Sequence, residues 1–104
     1  MSKIEILVIG RHPEILQTVL RLINNNEAWA ATGARTDEEA LTAFTSNVFK
    51  LVLLGGGIEK ESESSLRTTF NAHKPDIIIV QHYGGGSGLL AAEIYEALNG
   101  RIID

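Results

Sequence analysis

The sequence of 104 residues predicts one α/β domain built on a parallel β-sheet with helices on both faces. Short runs of apolar residues, several of them bounded by glycine, recur along the chain, as is typical of strands buried on both faces. Segments with helical spacing of apolar residues alternate with them, and such crossovers join parallel strands. The central strands should be almost fully buried, through Leu7, Val8, Val52, Leu53, Ile78 and Ile79.

The first half of the chain contains three strands and two helices. The strands are predicted at Ile4–Ile9, Trp29–Ala34 and Leu51–Leu54. The second strand is weaker in composition and is expected at an edge of the sheet. Pro13 suits the first position of the first helix, which ends at three asparagines beginning with Asn24. Thr36 and Glu39 have the spacing of a capping box, which predicts the start of the second helix.

The third helix and the fourth strand follow an acidic segment. Residues 59–63 are polar and are expected to form a loop that leads into the helix. Leu66 and Phe70 supply the apolar side of this helix, and Pro75 closes it. Residues 77–80 are apolar and β-branched, which predicts the fourth strand.

The last part of the chain is predicted to hold a fourth helix. Ser87 can cap this helix, and Asn99 with Gly100 forms a typical C-terminal stop. Residues 101–104 then leave room for only a short fifth strand.

Composition excludes several classes of function. The formal net charge of -4 argues against a nucleic-acid surface and against a polybasic membrane anchor. The chain has no cysteine, so disulfides and thiolate chemistry are excluded, and a reducing compartment is favoured. Its start is a poor signal peptide, and its apolar runs fall far short of the roughly 20 residues of a membrane span. A cytoplasmic protein is expected.

Three segments resemble a known family. Residues 6–15, which run from the first strand into Arg11, His12 and Pro13, resemble the first strand and turn of bacterial response-regulator receiver (CheY-like) domains. Residues 32–41 and 49–54 resemble the second strand with its helix, and the third strand. The resemblance implies one receiver-like domain over residues 1–104, in a family of two-component signal transduction. The implied fold is a flavodoxin-like three-layer sandwich with strand order 2-1-3-4-5, here without the fifth helix.

The phosphorylation site of that family is altered in this sequence. By the resemblance, the acidic pair that holds Mg²⁺ falls on Gly10 and Arg11, and the phosphoacceptor aspartate falls on Gly55. The Thr/Ser position falls near Gln81, with His82 beside it, and the lysine after the fifth strand has no counterpart. Acyl-phosphate formation needs a carboxylate nucleophile, and Mg²⁺ prefers carboxylate oxygens. We therefore expect a pseudo-receiver with no catalytic residue, no metal and no cofactor.

A glycine-rich crevice is an alternative site at the same end of the strands. Arg11 could supply charge to an anion held by backbone N–H groups of Gly84, Gly85, Gly86 and Ser87. The competing interpretation is that glycines replaced carboxylates once the chemistry was lost. That interpretation is favoured, because neither the P-loop nor the dinucleotide fingerprint fits.

Histidines and glutamates have ordinary explanations. His12, His73 and His82 are expected to be turn or loop residues, since two histidines without a carboxylate make a poor metal site. The glutamates at 59, 61 and 63 are expected to lie in a solvated loop.

Two functional hypotheses follow. The leading one is a phosphorylation-independent module that contacts a signalling protein or a second copy of itself. In a receiver the fifth helix packs beside the first helix. Without it, that face of the sheet is expected to carry a bare apolar strip, which a homodimer could cover. The second is a small anionic-ligand-binding domain or remnant enzyme that uses the glycine-lined crevice.

Overall fold

The structure is a computed structural model that describes residues 3–81 and 87–103. Its elements in chain order are β1 (Ile4–Ile9), α1 (Pro13–Asn24), β2 (Trp29–Ala34), α2 (Asp37–Ser46), β3 (Leu51–Leu54), α3 (Lys60–His73), β4 (Ile78–Gln81) and α4 (Ser87–Ile103). The four strands are parallel and lie in the order β2-β1-β3-β4. The predicted α/β fold and the order of its first four strands are confirmed, with β2 at an edge.

The predicted fifth strand at residues 101–104 is wrong, because α4 continues through Ile103. Each residue added to an existing helix gains a backbone hydrogen bond without the free-energy cost of nucleating a new helix. A strand of four residues would instead need the chain to reverse and find a pairing edge. Asn99 and Gly100 therefore lie within the helix and do not end it.

Local hydrogen bonds explain where α1 and α2 begin. His12 is the N-cap of α1, where its Nδ1 accepts the N–H of Ile15 at 3.4 Å. Thr36 caps α2, and its Oγ1 accepts the N–H of Glu39 at 3.0 Å. The carboxylate of Glu39 accepts a hydrogen bond from the N–H of Arg35 at 2.8 Å, one residue before the cap. The predicted cap of α2 is confirmed, with its return bond displaced by one residue.

The acidic segment at residues 59–63 is mostly helical, because it forms the start of α3. The helix begins at Lys60, so the loop predicted for residues 59–63 is wrong beyond Glu59. Acidic side chains in a first turn interact favourably with the helix dipole, which makes this polar segment compatible with a helix start. Leu66 and Phe70 are buried as predicted. The helix ends just before Pro75, as predicted.

Two apolar cores lie on opposite faces of the sheet. Right-handed crossovers place α1 on one face, since it carries the chain toward β2, and α2 and α3 on the other. The core beneath α2 and α3 contains Leu7, Ile9, Ala40, Phe44, Phe49, Val52, Leu54, Leu66 and Phe70. The core beneath α1 contains Ile6, Val8, Leu16, Val19, Ile23, Trp29, Leu51, Leu53, Leu90 and Ile94.

Helix α4 packs on the α1 face. Its Leu90 and Ile94 are 2% and 0% exposed within that core. The ring of Tyr95 lies 4.9 Å from that of Trp29, centroid to centroid, and the Tyr95 hydroxyl accepts a hydrogen bond from Asn26 at 3.0 Å. The last helix thus occupies the face that the resemblance gives to a fifth helix. The prediction of a bare apolar strip on this face is wrong, because α4 lies over it.

Burial in the strands follows their place in the sheet. Four of the six predicted central residues are buried, namely Leu7, Val8, Val52 and Leu53. The prediction for Ile78 and Ile79 is wrong, since both are only half-buried. They belong to β4, which forms an edge of the described sheet. Within residues 3–81 and 87–103, no helix is both long and apolar enough to span a membrane.

Candidate functional site at the carboxyl edge of the sheet

The residues that the resemblance assigns to the phosphorylation site lie at one edge of the sheet. Gly10 follows β1, Gly55 follows β3, and Gln81 is the last residue of β4. The register pairs Ile9 with Leu54 and Leu54 with Gln81, so these strand ends are level. The Gly55 N–H donates to the Ile9 carbonyl at 2.7 Å, which extends the β1–β3 pairing by one bond. The structure therefore brings these positions together, while His82 lies outside the described residues.

Arg11 lies at the centre of this edge and binds two carboxylates. Its Nη2 donates to Asp37 Oδ1 at 2.7 Å and to Glu59 Oε1 at 3.1 Å. Its Nη1 donates to the carbonyl of Arg35 at 2.9 Å. One guanidinium thus joins the segments that follow β1, β2 and β3. We call Arg11, Asp37 and Glu59 the arginine cluster.

The contacts in this cluster were not predicted. Glu59 was expected in a solvated loop, and Asp37 was not among the predicted site residues. A usable signal was present, since Arg11 and both carboxylates follow strands of one parallel sheet, whose carboxyl ends share an edge.

Mutual interaction keeps the arginine cluster ionised. The hydrogen bond to Asp37 is the main reason that the pKa of Arg11 is raised. The same bond is the main cause of the lowered pKa of Asp37, and the Ser62 hydroxyl adds to it. The pKa of Glu59 is lowered first by its own backbone N–H and then by Arg11. At neutral pH the cluster therefore carries one positive and two negative charges.

These residues do not fit the Mg²⁺ site of a receiver. Gly10 offers no side-chain ligand, and the guanidinium of Arg11 would repel a cation from the two nearby carboxylates. Across the described part of the chain, no group of three or more His, Asp or Glu side chains is arranged to hold a metal ion.

The backbone around Gly55 also leaves little room for a side chain. A Cβ atom added there would lie 3.1 Å from the carbonyl oxygen of Ile9, which is a tight contact with backbone. An aspartate at this position would require the end of β1 or β3 to shift. Glycine at position 55, which the resemblance assigns to the phosphoacceptor, thus fits the local geometry and offers no nucleophilic side chain.

A crevice lies beside the arginine cluster, between α1 and the sheet. Its volume is about 360 Å³. Its glycines are Gly10, Gly55, Gly56 and Gly57, and its other lining residues are Val8, Ile9, His12, Ile15, Leu16, Val19 and Leu53. A glycine-lined crevice is present at the strand ends, but its described glycines are not those predicted to hold an anion, and its walls are mainly apolar.

The other residues of the predicted anion site are only partly described. Arg11 does not line the crevice and instead binds two carboxylates. Gly84, Gly85 and Gly86 lie outside the described residues. Ser87 is the first residue of α4.

The described histidines occupy helix ends. His12 caps α1, and His73 is the last residue of α3, with its ring 6.5 Å from that of Phe44. Glu63 accepts a hydrogen bond from Arg67 at 2.9 Å, one helical turn along α3. The prediction of a turn or loop position is therefore wrong for His73, which is helical, while the contacts of both histidines and of Glu63 are structural.

Comparison by sequence gives no relative, since no family profile matches and no curated protein is detectably similar. Solved structures do match. A signal receiver domain of an HD domain-containing protein from Pseudomonas fluorescens Pf-5 has a TM-score of 0.69 at 20% identity, covering 92% of this chain and 76% of that one. A CheY-like response regulator receiver domain protein from Methanospirillum hungatei JF-1 has a TM-score of 0.66 at 19% identity, covering 88% and 74%.

A longer overlap is found with a LuxR family DNA-binding response regulator from Silicibacter pomeroyi. Its TM-score is 0.74 at 16% identity, and the match covers 93% of this chain and 92% of that one. Similarity at this level of identity establishes the fold. The chain is an α/β domain with the CheY-like fold of response-regulator receiver domains.

Proposed function

We propose that this chain is a pseudo-receiver, a signalling domain that acts through protein contacts and is not phosphorylated. The observation that carries this proposal is the arginine cluster, in which a fixed guanidinium stands at the edge where a receiver would hold a metal ion. The CheY-like fold supports a role in signal transduction.

The chemistry of the edge supports the absence of phosphorylation and of catalysis. A phosphoryl transfer to protein needs a nucleophile aligned with the incoming group and a cation that neutralises the developing charge. Gly55 supplies no nucleophile. Asp37 and Glu59 already bind Arg11 as ion-pair partners. This contact is the main cause of the lowered pKa of Asp37 and adds to the effect of the backbone N–H on the pKa of Glu59.

Phosphate uptake is the direct test. The protein is incubated with acetyl phosphate or beryllofluoride, with and without Mg²⁺, and its intact mass is measured. We expect no adduct, while a receiver with its acidic residues serves as the positive control. A stable adduct on any carboxylate of the unaltered chain would refute the proposal.

The proposed partner is a cytoplasmic signalling protein of a two-component pathway. A nucleic acid is disfavoured by the net charge of -4. The main argument for a homodimer no longer applies, because α4 lies over the face that was expected to be bare. Size-exclusion chromatography with light scattering at several concentrations tests this directly, and we expect a monomer.

A second candidate function is ligand binding in the crevice. The observation that favours it is a cavity of about 360 Å³ at the carboxyl ends of the strands, where open α/β sheets bind ligands.

A further inference from the structure

The crevice between α1 and the sheet is shaped by the core of the protein. Its walls include Val8, Leu16, Val19 and Leu53, which all belong to the apolar cluster beneath α1. Its volume of about 360 Å³ lies within the range of pockets that hold small molecules. Because these wall residues are held by strand pairing and helix packing, the crevice exists before any ligand arrives.

The four glycines that line the crevice are glycine for different reasons. Gly57 has a φ of +83°, which favours glycine, and a Cβ at Gly55 would press against a backbone carbonyl. Neither reason applies to Gly10 or Gly56. A Cβ at Gly10 would make ordinary contacts with Leu16 at 3.7 and 3.8 Å, and one at Gly56 would meet no atom within 4 Å. The effect of glycine at position 56 is to leave the opening clear.

Ile15 adds an independent observation at the same place. It lies in the first turn of α1, lines the crevice and is 58% exposed, although it is a large apolar side chain. A molecule in the crevice would cover part of this surface, and burial of apolar surface favours binding.

The charges around the crevice decide which kind of molecule fits. No lysine, arginine, aspartate or glutamate is among its described lining residues. Arg11, which is adjacent in sequence to the lining residues Gly10 and His12, is bound to both Asp37 and Glu59. The lining histidine, His12, uses its Nδ1 as the cap of α1. From these observations we infer that the crevice binds a small, uncharged and mainly apolar molecule. This inference goes beyond the proposed signalling function and does not depend on it.

Methyl NMR of the whole chain tests the inference. Isoleucine, leucine and valine methyl groups are labelled, and cyclohexanol is titrated as the uncharged probe, with inorganic phosphate as the anionic probe. We expect saturable shifts at Leu16, Val19 and Leu53 with cyclohexanol and none with phosphate. Val52 and Leu66, which lie beneath α3 on the other face, should not move.

A variant that blocks the opening separates binding in the crevice from binding elsewhere. Gly56→Phe adds a ring at a position with open space and a backbone that accepts side chains. We expect it to weaken cyclohexanol binding at least about tenfold, since the ring excludes the ligand from the pocket. Ser64→Phe places the same ring on the exposed side of α3 and should leave the affinity unchanged.

Three results would overturn the inference. They are the absence of saturable shifts with cyclohexanol, equal affinity in Gly56→Phe and the unaltered chain, and shifts of the same methyl groups by phosphate. Both variants should give the folded spectrum of the unaltered chain, because each adds its ring at an exposed position.

Discussion

Replacing Arg11 by glutamine removes the charge at the centre of the arginine cluster while keeping a long polar side chain. The bond to Asp37 is short, at 2.7 Å, but the two side chains remain 25% and 39% exposed. Solvent screening therefore limits this ion pair to about 0.5–1 kcal/mol. The hydrogen bond to the Arg35 carbonyl contributes a further 0.5–1 kcal/mol, roughly. We expect Arg11→Gln to lower the free energy of unfolding by about 1–2 kcal/mol at pH 7.

The dependence on pH identifies the ionic part of this effect. The pKa of Asp37 is lower in the folded chain than in the unfolded one. Its stabilisation is therefore fully present above the unfolded pKa of about 3.9 and is lost as the pH falls through the folded pKa. The difference between Arg11→Gln and the unaltered chain should shrink between pH 6 and pH 2. Urea unfolding followed by circular dichroism measures both free energies.

Three further variants complete the experiment. Asp37→Asn, alone and with Arg11→Gln, forms a double-mutant cycle that isolates the coupling between the two side chains. Arg21→Gln makes the same substitution in the last turn of α1, at an exposed position, and should cost under about 0.5 kcal/mol. The reasoning fails if Arg11→Gln is as stable as the unaltered chain at pH 7, or if its deficit persists undiminished at pH 2.

The remaining predictions concern the core and a helix cap. Leu53→Ala, at a buried position of β3, should lower the free energy of unfolding in urea by about 2–5 kcal/mol. As a control, Val48→Ala, at a side chain that is 78% exposed, should change this free energy by under about 0.5 kcal/mol. A loss below about 1 kcal/mol for Leu53→Ala would contradict the central place of β3. Thr36→Ala should cost about 1 kcal/mol by removing the cap of α2, and Thr36→Ser should restore most of it; equal stability of the two variants would show that the hydroxyl is not the cap.

The strands were the most predictable part of the fold. β1, β2 and β3 have the predicted bounds. For β1 and β3, burial on both faces leaves a nearly continuous apolar signal in the sequence. β4 begins one residue later than predicted. The N–H of Ile77 bonds to the carbonyl of Lys74, so this buried residue belongs to the turn and not to the strand.

The placement of α4 was not predictable from local patterns. Crossover handedness fixes the faces of α1, α2 and α3, because each connects two parallel strands of the sheet. No described strand follows α4, so that rule does not assign its face. Its position depends on packing of Leu90, Ile94 and Tyr95 against Ile23 and Trp29, which are distant in the sequence.

The candidate site was predicted in position and only partly in chemistry. Gly10, Arg11 and Gly55 were placed at one edge because each follows a strand. The contacts of Arg11 with Asp37 and Glu59 span 26 and 48 residues, and the sequence shows these charges only as members of separate segments. The apolar character of the crevice also depended on which side of α1 faces the sheet.

The docking of α4 on the α1 face has a consequence for the order in which the chain folds and opens. The hydrogen bond between Asn26 and Tyr95 joins residues 69 positions apart, and the surface that receives α4 exists only once β1, β3 and α1 have assembled. We therefore expect α4 to join late in folding and to detach first in local unfolding. Trp29 is the chain's single tryptophan and lies beneath this helix. Its fluorescence should register the departure of α4 while the amide protons of β1 and β3 are still protected from exchange.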